Sequence, residues 1–93
     1  MKALRASEVT KFTDIPNVGK AMESDFKRLG IKSPKELKKK SAFTLYKKMC
    51  ALVGRQDPCV LDTYMAVIDF MNGGKAKPWW HYTEERKHIY PNL

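Results

Sequence analysis

Ile15-Pro16-Asn17-Val18-Gly19-Lys20 is a tight-turn sequence set against a helix. Proline fixes φ near the value a turn requires, and asparagine is one of the few residues besides glycine that tolerate the left-handed region. Gly19 is free to take φ > 0 and, lacking a side chain, lets an anion approach the backbone closely. Downstream, Val18, Met22, Phe26 and Leu29 form the apolar stripe of a helix over residues 20–29, which Gly30 stops before Ile31. Upstream, Ser7 and Glu8 open a short helix expected over residues 5–12.

The remaining periodicities are helical as well, and no segment alternates as a strand. Ser33-Pro34-Lys35-Glu36 combines an N-cap serine, proline at the first helical position and glutamate at the third, and starts a short helix running to Lys40. Ser41 caps the next helix, whose expected buried face is Leu45, Met49, Leu52 and Val53, with Lys47 and Lys48 outside and Gly54 at its end. Asp57-Pro58 begins the longest helix, over residues 57–73, and Gly73-Gly74 ends it. Its residues Val60, Leu61, Tyr64, Met65, Val67, Ile68, Phe70 and Met71 cover most of its circumference and leave a narrow polar strip of Asp62, Thr63 and Asp69, so this helix is expected at the centre. Residues 75–93 show neither period and contain both tryptophans, with Thr83-Glu84-Glu85 capping one closing turn. The expectation is one all-α domain over residues 1–93: a compact bundle of about five short helices, made of a basic part over 5–53, the central helix and an irregular Trp-rich tail.

Charge is distributed unevenly along the chain. Residues 1–56 carry fourteen Lys or Arg against five Asp or Glu, whereas residues 57–93 carry four against five, for a net +8 overall. The positive field thus belongs to the part bearing the turn, as expected of a surface that faces a polyanion, although a merely solvated lysine face has the same composition. No apolar run approaches the ~20 residues of a membrane span, and with two cysteines, Cys50 and Cys59, the chain is expected in the cytoplasm with reduced thiols.

Little of the sequence points to catalysis or metal. The spacings of Cys50 from Cys59 and of His81 from His88 do not resemble the close ligand pairs of zinc sites, so no metal or cofactor is expected. Cys59 follows Asp57-Pro58 at a helix start, where the helix dipole lowers a thiol pKa and Asp57 opposes it; a buried structural thiol is the commoner arrangement. Trp79 and Trp80 are expected chiefly to anchor the tail against the helices, the alternatives being base stacking, with Lys75, Lys77 and His81 nearby, or a protein-docking patch.

Residues 15–31 resemble the hairpin of a helix-hairpin-helix motif, and several further segments resemble the small bacterial pathogenicity locus family. These are Met49-Cys50 with Gly54, Asp57-Pro58-Cys59-Val60-Leu61-Asp62, and Lys77-Pro78-Trp79-Trp80-His81-Tyr82-Thr83 with Arg86-Lys87. The resemblance covers residues 12–87; family members are usually labelled helix-hairpin-helix proteins, and some mitomycin resistance proteins. The first half is also similar to the C-terminal domain of the competence regulator TfoX. Two positions depart from the usual hairpin: Asn17 stands where most members have glycine, and Glu23 where a small residue is typical, a carboxylate there repelling phosphate. The TfoX domain shares that glutamate.

The resemblance implies an all-helical fold and a DNA-related role with no known reaction, and together with the turn and the charge it leads to the expectation of a non-enzymatic, sequence-nonspecific DNA-binding module. The turn of Pro16, Asn17, Val18, Gly19 and Lys20, its φ fixed by the proline, would present backbone donors at the positive end of the following helix, while Lys20, Lys27 and Arg28, with Lys38 to Lys40, neutralise phosphates. The alternative is a protein-interaction or dimerisation module that uses Trp79, Trp80 and His81 or the central helix. A membrane partner is not expected.

Overall fold

The computed structural model describes residues 2–93, and among them every regular element is helical. Four α-helices, α1 (Lys20–Arg28), α2 (Ala42–Val53), α3 (Pro58–Met71) and α4 (Thr83–Ile89), are joined by 3-10 turns at Ala6–Glu8, Phe12–Asp14, Pro34–Lys39 and Trp79–Tyr82. The radius of gyration is 12.3 Å, that of a compact chain of this length.

α3 is the element around which the others pack. Leu61, Tyr64, Val67, Phe70 and Met71 are buried along it, against α2, α4, the Pro34–Lys39 turn and the Trp79–Tyr82 turn. Asp57 starts it, its carboxylate accepting the Cys59 N–H at 2.9 Å with Pro58 at the first helical position, as its sequence signal requires. An aromatic row then links it to the N-terminal part. The Phe12 and Phe26 rings lie 5.6 Å apart and the Phe26 and Tyr64 rings 5.7 Å, which seats α1 on α3.

The structure corrects several sequence expectations. Residues 5–12 do not form one helix. The Asp14 carboxylate accepts the backbone N–H groups of Thr10 and Lys11 and the Thr10 hydroxyl, so a new turn starts there and Val9 stays extended. Leu52 and Val53 are not part of a buried face, being 58% and 44% exposed; α2 instead buries Leu45, Tyr46 and Met49. Gly54, at φ 96°, then ends the helix.

The polar strip of α3 is divided, with Asp62 and Thr63 inside and Asp69 exposed. Asp62 is fully buried and Thr63 nearly so. The Asp62 carboxylate accepts Arg86 Nε at 2.8 Å, Arg86 Nη2 at 3.3 Å and the Thr83 hydroxyl at 2.8 Å, and this cluster docks a tail that is helical, not irregular. A second fastening follows, with the Tyr82 hydroxyl donating to Asp69 at 2.5 Å. Gly74 permits it, because a Cβ there would meet the Asp69 carboxyl at 2.7 Å.

Candidate nucleic-acid interface

The turn that begins with Ile15 is built from both its apolar and its polar residues. Ile15 and Val18 are buried in the core, each stabilising by roughly 1.5–3 kcal/mol, and so fix the turn's two ends. Between them the Val18 N–H donates to the Ile15 carbonyl at 3.1 Å, and Asn17 sits at φ 75°. Proline at the second position and positive φ at the third define a type II turn. It is therefore Asn17, not Gly19, that takes the left-handed conformation. Gly19 is extended, with φ −104° and ψ −172°, as N-cap residues usually are.

Asparagine at position 17 has a use that glycine would not serve. Its Nδ2 donates to the Lys77 carbonyl at 2.8 Å and its Oδ1 accepts the Trp79 N–H at 3.2 Å. One side chain thus binds the backbone on either side of Pro78 and joins the turn to the tail. Lys2 also reaches the turn, its ammonium donating to the Thr13 carbonyl at 2.7 Å and to the Val18 carbonyl. Neither link was readable beforehand, since the partners lie 60 and 62 residues away for Asn17 and 11 and 16 for Lys2.

α1 begins immediately after this turn without a side-chain cap. Its ladder opens with the Glu23 N–H on the Gly19 carbonyl at 3.0 Å, so the N–H groups of Lys20, Ala21 and Met22 have no acceptor within the helix. Gly19, Lys20 and Ala21 are exposed, and nothing lies within 4 Å of where a Gly19 Cβ would stand. The arrangement offers open donors at the positive end of a helix dipole, with the Lys20 ammonium on the same turn. Glu23 is half-buried in that first turn, where its charge favours the helix and opposes an incoming anion.

The other sequence-derived residues are distributed differently. Pro16 and Asn17 are half-buried and Val18 is buried, so their side chains leave Gly19 and Lys20 as the accessible tip. Lys27 lies on the Lys20 face about 10 Å along the axis, and Arg28 beside it faces Asp25 at 3.9 Å. Trp80 does not anchor the tail: it is 64% exposed, while Tyr82 at 7% fills that role. Trp79 is half-buried and meets the Trp80 ring edge-on, at 5.7 Å and 84°. His81 is exposed and lines a cleft with Asp69 and Glu85.

Partial burial, followed by the hydrogen bond and charge of Asp57, moves the Cys59 thiol pKa upward from its ordinary value. Among the described residues no group of three or more His, Cys, Asp or Glu side chains is placed to hold a metal ion, and no helix is long and apolar enough to cross a membrane.

The family model for the pathogenicity locus, Cdd1, matches residues 5–88. The chain belongs to the pathogenicity locus family. Mitomycin resistance protein McrB of Streptomyces lavendulae is similar to it, with 40% identity over 87 residues that cover 92% of this chain and 83% of the Streptomyces protein. No solved structure matches. In this pathogenicity locus chain the matched span includes the turn, α1 and both fastenings of the tail.

Proposed function

We propose that the chain is a non-enzymatic module that binds the phosphate backbone of DNA through the Pro16–Lys20 turn, without reading sequence. The observation that carries this reading is the open N-terminus of α1: its leading residues are exposed in the basic half of the chain and have no side-chain cap, whereas in α2 and α3 one first-turn N–H is accepted by the side chain of Ser41 or Asp57. Backbone donors and Lys20 would hold one phosphate, with Lys27 and Arg28 along the same helix reaching others; bases are not contacted. The raised thiol pKa of Cys59 supports a role without nucleophilic catalysis. Two free cysteines suit the reducing cytoplasm.

Gly19→Asp tests the reading. The new carboxylate has room and a suitable backbone, caps α1 from within and repels phosphate. Anisotropy titration of labelled duplex DNA is expected to show roughly a ten- to hundredfold weaker complex, the loss of one charged hydrogen bond, with helicity unchanged. Log affinity of the parent chain is expected to fall with log salt at a slope of about −3, for three to four neutralised phosphates. Equal affinity in G19D would sink the proposal.

A second reading is favoured by Leu52 and Val53, whose exposure at the end of α2 offers an apolar patch to a protein partner or second copy. Its mark is association that salt barely changes and that Leu52→Lys abolishes while G19D does not.

A further inference from the structure

We propose that Trp80 is a base-stacking residue, so that the ligand of this surface is DNA with an unpaired base beside the gripped backbone, such as a gap or single-stranded flank. The proposal rests on the backbone-binding reading above and names its substrate class.

Three observations converge on it. Trp80 is the most exposed aromatic side chain of the described residues that the core leaves out, and the tail does not need it, because Tyr82, Thr83 and Arg86 already fasten that segment to Asp69 and Asp62. The indole is nevertheless held in a fixed attitude: Trp79 supports it edge-on, and the Trp79 backbone is tied to Asn17 in the turn. A large apolar ring kept in solvent yet pre-ordered loses little freedom when a flat partner stacks on it. Finally, Asn17 ties the backbone of Lys77 and Trp79, next to Trp80, to the turn that precedes Gly19 and Lys20, so the segment bearing the indole and the proposed phosphate grip are fastened to each other. Stacking needs an available base face, which an intact duplex interior does not offer and an unpaired nucleotide does.

The test uses the full chain and two labelled probes: a duplex closed at both ends by non-nucleotide linkers, and the same duplex carrying a short single-stranded gap. The parent chain is expected to bind the gapped probe more tightly and to lose tryptophan emission on binding. Trp80→Ala is expected to lose roughly tenfold on the gapped probe, as for one stacked base, and nothing on the closed duplex. Trp79→Phe, which keeps the backbone tie to Asn17, is expected to retain the preference and the quenching. Equal affinity of the parent for both probes, or an unchanged gapped complex in W80A, overturns the stacking proposal while G19D still reports separately on the turn. Should W80A instead convert a dimer to a monomer in sedimentation with no change on either probe, Trp80 serves a second copy and the proposal fails.

Discussion

α1 and α3 begin in opposite ways. α1 follows a proline-containing turn and α3 has proline as its first residue, but α3 opens on Asp57, whose carboxylate accepts a first-turn N–H, while α1 opens on Gly19, which has no side chain to do so. The contrast extends beyond the caps. Around α3 and the tail, Asp57, Asp62 and Asp69 are each engaged by groups of the chain itself. Around α1, the donors and Lys20 stay open to solvent. One region directs its polar groups inward to dock α4, and the other leaves them available to an anion.

The largest effect is expected where the inward region is broken. Arg86→Met leaves the Asp62 carboxylate buried without its guanidinium, at a cost of about 3–5 kcal/mol. Urea unfolding should show it, and Asp62→Leu added to Arg86→Met should restore most of the loss, because the double change removes the stranded charge as well. A loss below about 1 kcal/mol in R86M, the range of an exposed ion pair, would mean that the tail is docked by other contacts and that the two regions differ less than described.

Next in size is the joint between the regions. Asn17→Gly keeps the positive φ of the turn and removes both bonds to the tail, so it isolates the clamp. A destabilisation of about 1–2 kcal/mol is expected for two hydrogen bonds, with faster amide exchange at Trp79 than in the parent. Unchanged exchange at that amide would show the tail to be held without Asn17.

The helix starts themselves can then be exchanged in character. Asp57→Ala should destabilise by about 1 kcal/mol in thermal unfolding. Hydrogen bonds from the Cys59 backbone hold the Asp57 carboxyl below the ordinary 3.8, and those from Thr10 and Lys11 do the same for Asp14. A carboxylate with a depressed folded pKa contributes stability above its unfolded pKa and loses it as pH falls through the folded one. Stability is therefore expected to decline below the ordinary carboxylate range, with a shallower slope in Asp57→Asn, where the cap persists but no longer titrates. An identical acid slope in that variant would remove Asp57 from the account.

How much of this was legible in the sequence depends on the range of the interaction. Capping residues, glycine stops and the Val18–Phe26 stripe act within a few residues, so α1, α2 and α3 were readable close to their observed bounds. Asp62 was legible only as part of a polar strip and not as a buried partner, since Thr83 and Arg86 lie 21 and 24 residues away. The same blindness explains the tail: α4 is only seven residues long and depends on that buried pair more than on periodicity. The turn sequence pointed to Pro16 to Lys20 as one unit and allowed positive φ at both Asn17 and Gly19, and the structure has it at Asn17 and not at Gly19. Asn17 left a signal, an asparagine where glycine is the easier choice, but the signal says only that the side chain is needed and not for what.

The smallest effect sharpens the comparison most. Glu23 stands in the first turn of α1, where a carboxylate stabilises the open helix end by about 0.3–1 kcal/mol. The same charge, at roughly 6–8 Å from a phosphate seated on that end, repels it by about 0.5–0.7 kcal/mol in water. Glu23→Gln is accordingly expected to move the two properties in opposite directions, lowering the unfolding midpoint slightly while tightening the DNA complex about twofold to threefold at low salt. Added salt should shrink the gain, since the repulsion it removes is screened. If affinity and stability fall together in E23Q, then the carboxylate supports the site through the helix and does not compete with the ligand, and the α1 end is not where the phosphate sits. If they part as expected, Glu23 is the residue by which the chain keeps an uncapped helix intact when no anion is bound.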